Sequence, residues 1–65
     1  MERYGVVLIQ GDRITTLDLC SSPEGMFVAK QLRRSRYHGE GTIAAVRGEF
    51  DEQGSLLRDR CTLLY

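Results

Sequence analysis

The stretch RYGVVLIQGDRITTLDLCSSPEG, residues 3–25, decides the fold. It reads as two strands followed by the start of a helix. Residues 3–10 are rich in β-branched and aromatic side chains, the signature of a strand. Their apolar residues fall on both faces, as in a central strand covered on each side. Gly11-Asp12 follows, a Gly-X pair suited to a type II′ two-residue turn, and residues 13–20 make the second strand. A turn there sets Val6 opposite Leu17 and Tyr4 opposite Leu19 on one face. It sets Ile9 opposite Ile14 and Val7 opposite Thr16 on the other. Ser22 then suits a helix N-cap, and Pro23 suits the first turn, where its missing N–H costs nothing. Glu24 complements the positive end of the helix dipole.

Outward from that stretch, the helix is predicted to run to about Tyr37 and to stop at Gly39. Gly25, Val28, Ala29 and Leu32 share one stripe and are expected to face a sheet. Residues 42–51 and 56–65 read as the third and fourth strands, joined by Glu52-Gln53-Gly54-Ser55. A turn centred on Gln53-Gly54 pairs Phe50 with Leu57, Val46 with Cys61, Ala44 with Leu63 and Thr42 with Tyr65 on one face. The other face pairs Glu49 with Arg58 and Ile43 with Leu64, and it sets Arg47 opposite Arg60, which is unfavourable unless Glu49 sits diagonally between them.

The expected fold class is therefore α+β: ββαββ, a four-stranded antiparallel sheet with one helix on one face. Two orders fit two hairpins joined by a helix, 2-1-3-4 and 1-2-4-3. The first is preferred because it puts Asp18, Arg58, Asp59 and Arg60 on edge strands, where charge discourages unwanted pairing. A right-handed crossover joins strands 2 and 3.

The bulk composition limits the function. The chain has 65 residues, enough for one domain. A chain of that length buries only about 60% of its unfolded surface. Nine basic and nine acidic side chains balance, so a general attraction to nucleic acid or membrane is not expected. The two cysteines, Cys20 and Cys61, have neither the density of a disulfide scaffold nor metal spacing. The register turns Cys61 toward the helix and Cys20 away from it, so both are expected to be free. The longest early apolar run, Val6–Ile9, is too short for a signal peptide or a membrane span. A cytoplasmic protein is expected.

Few residues point to chemistry. Lys30, Arg33, Arg34, Arg36 and His38, with Tyr37 among them, crowd the helix end. They form a candidate nucleic-acid patch in which Tyr37 would stack on a base. Cations at a helix C-terminus are also explained by the dipole alone. Cys20 precedes a helix N-terminus, where a thiol can be activated. His38, a possible base, lies at the other end of that helix, roughly 20 Å away by helical rise. Ser21 and Ser22 are accounted for by capping. His38-Gly39-Glu40 offers at most two metal ligands, short of a site. Asp18, Asp51, Glu52 and Asp59 are scattered turn and edge charges. No nucleophile, base and orienter come together, so an enzyme is not expected, and no cofactor or metal is implied.

The expected function is a non-catalytic interaction or regulatory module acting through protein–protein contacts as a homodimer. One helix covers one face of a four-stranded sheet, leaving Val7, Ile9, Ile14, Ile43 and Leu64 as an apolar far face to be buried against a second copy. The alternative is a small nucleic-acid-binding protein using the basic helix end.

Overall fold

The computed structural model describes residues 2–64. Its elements are β1 (Glu2–Gln10), β2 (Arg13–Cys20), α1 (Pro23–Arg36), β3 (Thr42–Phe50) and β4 (Leu56–Leu63). The strands form one antiparallel sheet in the order β2-β1-β3-β4, so the ββαββ layout and the preferred order both hold. The pairing of Thr42 with Tyr65 lies outside the described residues.

Local signals place the turns and caps. Gly11 has φ of +64° and, among the described residues, no non-glycine residue has positive φ, as a type II′ turn at Gly11-Asp12 requires. The Ser22 hydroxyl accepts a 3.1 Å hydrogen bond from the Gly25 N–H. The helix ends earlier than Gly39 predicts. Tyr37 turns extended, with ψ of 126°, and its N–H closes the last turn on the Arg33 carbonyl at 2.9 Å. Positive φ appears instead at Gly41. Between β3 and β4, one Asp51 carboxylate oxygen accepts from the Gln53 and Ser55 N–H groups at 2.9 and 2.8 Å. This Asx-type turn presets the hairpin around Gly54.

The faces differ from the expectation in three places. In β1–β2, Ile9 meets Ile14 and Val7 meets Thr16 as expected, but a bulge between Val6 and Val7 then pairs Val6 with Asp18 and Tyr4 with Cys20. The bulge takes up one extra residue of β2, so Cys20 turns to the helix side and Leu19 to the far side. In β1–β3, Leu8 pairs with Ile43, Val6 with Ala45 and Gly5 with Val46. Ile43, Ala45 and Leu64 therefore pack with the helix, and Ala44, Val46 and Phe50 lie on the far side. In β3–β4, Val46 meets Leu63 and Phe50 meets Leu56, with the register shifting in between. Arg47 faces Thr62 rather than Arg60, and Arg60 pairs with Glu49 at 3.0 Å.

Small residues explain this choice of faces. Ala45 leaves room on the helix side for Met26, which is fully buried. Gly5 leaves room on the far side for the Phe50 ring: a Cβ on Gly5 would lie 2.7 Å from Phe50 Cζ. The helix is rolled relative to the predicted stripe. Met26 and Lys30 are buried and Ala29 is half-buried, whereas Val28 and Leu32 are 60% and 52% exposed. Burying the larger Met26 side chain removes more apolar surface than burying Val28. Arg33 fixes the roll by donating to Asp18 on β2 at 2.9 and 3.2 Å.

The far face is covered by the chain itself. Val7, Ala44 and Val46 are at most 3% exposed, with Ile9, Ile14, Phe50 and Leu56 packed around them. The β3–β4 hairpin folds back over this face. Its tip brings Gly54 against Leu19, and the Arg58 guanidinium donates to the Asp12 carbonyl in the β1–β2 turn. Gly48 permits the bend, because a Cβ there would lie 2.6 Å from Arg60 O and Cys61 Cα.

Two stability measurements check this packing. Met26→Ala is expected to cost roughly 2–5 kcal/mol in denaturant unfolding, while Val28→Ala stays within about 0.5 kcal/mol; the reverse ranking would contradict the helix roll. Gly48→Ala is expected to cost about 2–3 kcal/mol, because backbone rather than a mobile side chain stands in the way.

Candidate functional site

The residues expected to form one dimer face are dispersed. Val7 is fully buried within the far-side cluster, and Ile9 and Ile14 are half-buried around it. Ile43 is 8% exposed and Leu64 half-buried, both on the helix side. The premise of an open far face fails because the hairpin occupies it.

The basic cluster is also divided. Lys30 is 5% exposed. Burial, and then the neighbouring Arg34 charge, push its ammonium pKa down. Arg33 is committed to Asp18 and to the Leu17 carbonyl at 3.3 Å, and its bond to the Asp18 carboxylate raises its pKa further. Tyr37 packs against the core. Its hydroxyl donates to the Glu40 carbonyl and accepts from the Gln10 side chain at 3.3 Å. Those bonds hold the ring away from the stacking role. Arg34, Arg36 and His38 remain exposed at the helix end.

Cys20 and Cys61 are both free. Their sides are the reverse of those expected. Cys20 packs with the helix-side cluster, and Cys61 pairs with Gly48 on the far side. They still lie on opposite faces. The Cys20 thiol is not activated: burial, and then the Asp18 carboxylate, push its pKa up. Among the described residues no group of three or more His, Cys, Asp or Glu side chains is placed to hold a metal ion. No helix of the described residues is long and apolar enough to cross a membrane.

The fold leaves one surface that residue types alone do not reveal, the free edge of β2. The two-residue turn makes Gln10–Arg13 a hydrogen-bonded pair. Alternation along an antiparallel ladder then makes Ile9–Ile14 and Val7–Thr16 non-bonded pairs, so the N–H and C=O of Ile14 and Thr16 point away from β1. They have no backbone partner among the described residues. Beside this edge runs a groove of about 570 Å³, lined by residues 13–19 and by the Gln53–Ser55 tip. On the helix side a second hollow of about 360 Å³ lies between Asp18 and the α1 flank at Ala29, Leu32 and Arg36.

The two edges of the sheet differ in protection. β4 carries the exposed charges Arg58, Asp59 and Arg60 along its middle. β2 holds four uncharged residues, Ile14-Thr15-Thr16-Leu17, between Arg13 and Asp18, and the Asp18 charge is held by Arg33. An uncharged edge without proline is a ready template for another strand. The one sequence signal for it is that four-residue uncharged run in a strand placed at an edge.

Comparison with known proteins finds no matching family model, no matching curated protein and no matching solved structure.

The thiol assignment has a direct check. Because the raised pKa disfavours the thiolate, Cys20 in the folded protein is expected to alkylate more slowly at pH 8 than an unstructured cysteine peptide. Its rate should keep rising with pH after the peptide's has levelled. A rate that levels below the peptide's pH would show the helix N-terminus prevailing over burial.

Proposed function

We propose that this chain is a non-catalytic protein-interaction module that binds an extended strand along the free edge of β2. One observation carries the reading: the outward backbone groups of Ile14 and Thr16 lie on an uncharged edge that opens into a groove. Adding a strand there would supply their missing hydrogen bonds, and the alternate side chains of that strand would meet two different walls. Those on the helix side would meet Leu32 and Arg36, and those on the far side would meet the Gln53–Ser55 tip. Regulation by occupancy of this edge is the simplest role for a domain of this size. A cytoplasmic setting goes with the reading, since both thiols are free as in a reducing compartment.

A second reading, nucleic-acid binding, rests on Arg34, Arg36 and His38, the exposed remainder of the basic helix end. It draws on fewer charges than the sequence offers, because Lys30 is buried and Arg33 is paired.

Selection of extended peptides from a random displayed library, followed by amide exchange, separates the two. Selected peptides are expected to slow exchange at Ile14 and Thr16 by tenfold or more, and to be lost on Thr15→Lys. No enrichment, together with salt-dependent retention on nucleic acid that an Arg34→Glu/Arg36→Glu variant abolishes, would favour the second reading.

A further inference from the structure

We infer that the strand received by β2 is the β2 of a second copy, joined antiparallel about a two-fold axis through Thr15. The inference rests on the strand-binding reading and names its partner. Charge order along β2 selects the second copy. β2 reads Arg13, four uncharged residues, Asp18. Antiparallel alignment of two such strands brings the positive end of each to the negative end of the other. That complementarity arises twice when the partner is the same sequence, as an isologous interface requires.

The ladder then sets the register. Only residues whose N–H and C=O point outward can exchange bonds, and these are Ile14 and Thr16. Pairing Ile14 with Thr16 of the second copy, and Thr16 with its Ile14, forms four backbone hydrogen bonds. Thr15 meets Thr15 across the axis in a non-bonded pair, a favourable cross-strand match. Arg13 falls opposite Leu17 of the second copy and beside Asp18, which the bulge turns to the same helix side, so Arg13 stands between that carboxylate and Asp12 of its own turn, the residue opposite Asp18 in this register. The Asp18 carboxylate accepts one bond on each oxygen from Arg33. A carboxylate has about four lone-pair sites, so it can also accept from the incoming Arg13. The product is one continuous eight-stranded sheet with both helices on one side. The Leu32 side chains, 52% exposed in the single chain, turn toward the axis.

Sedimentation at five to one hundred micromolar tests this, with Thr15→Lys and Thr15→Cys variants and with amide exchange. The expected result is a two-chain mass for the native protein. Thr15→Lys, an exposed position, should weaken association by at least tenfold while leaving far-UV circular dichroism unchanged. Thr15→Cys should form a disulfide-linked dimer on mild oxidation, since a non-bonded cross-strand pair holds its Cβ atoms about 4.5–5.5 Å apart; the native chain, with Cys20 and Cys61, should not. A one-chain mass throughout with no Thr15→Cys crosslink overturns the inference. If selected peptides still protect Ile14 and Thr16 in that case, the second-copy inference alone has failed and the strand-binding reading stands. A two-chain mass with Ile14 and Thr16 exchanging freely places the dimer contact elsewhere and overturns the second-copy inference.

Discussion

The contact between Phe50 and Gly5 is the constraint on which the rest of the structure depends. A four-stranded sheet has two apolar faces, and this chain has one helix to cover them. The second face is closed by bending the β3–β4 hairpin back until Phe50 and Leu56 seal Val7, Ala44 and Val46. The bend needs a surface without side chain under the Phe50 ring, which Gly5 provides. It also needs close passage of β3 and β4, which Gly48 provides. Two glycines that would each weaken an ordinary strand here allow a short chain to bury both sides of its sheet.

A second constraint ties the helix to this sheet. Arg33 reaches from α1 to Asp18 and to the Leu17 carbonyl, at the place where the β2 bulge turns both residues toward the helix. The ion pair is half-exposed, so its direct contribution to stability is small. Its larger effect is geometric. It fixes which helix face meets the sheet, withdraws one arginine from the basic cluster and holds the Asp18 carboxylate beside the uncharged run of β2. Neighbouring Lys30 is buried by the same roll, so a group of cations that reads as a surface patch in sequence is in large part structural.

The sequence read well wherever local chemistry decides. Gly11-Asp12 and Ser22-Pro23 each specify a backbone shape and, with the strand patterns, gave the element order, while the charges of Asp18, Arg58, Asp59 and Arg60 gave the strand order. It read poorly where a choice of one residue decides. The bulge at Val6/Val7 reversed the sides of Cys20 and Leu19, and the offset of β3 against β1 reversed Ile43 and Val46. Both β1 and β3 are apolar on each face, so alternation could not arbitrate. The deciding signals were the small residues, Gly5 and Ala45, whose meaning depends on partners distant in the chain. The candidate site followed the same pattern. Side-chain inventories found the basic helix end, whereas the free edge of β2 is a property of backbone groups and of strand order.

The unequal charge of the two sheet edges has a consequence for how far association can proceed. A sheet with two open edges has a valency of two and can add chains without limit, the geometry of a fibre. Here Arg58, Asp59 and Arg60 guard β4, and only β2 is open. A chain with one open edge has a valency of one. The proposed pairing with a second β2 would use the one uncharged edge of each chain, so the sheet would stop at eight strands without the hazard of polymerisation.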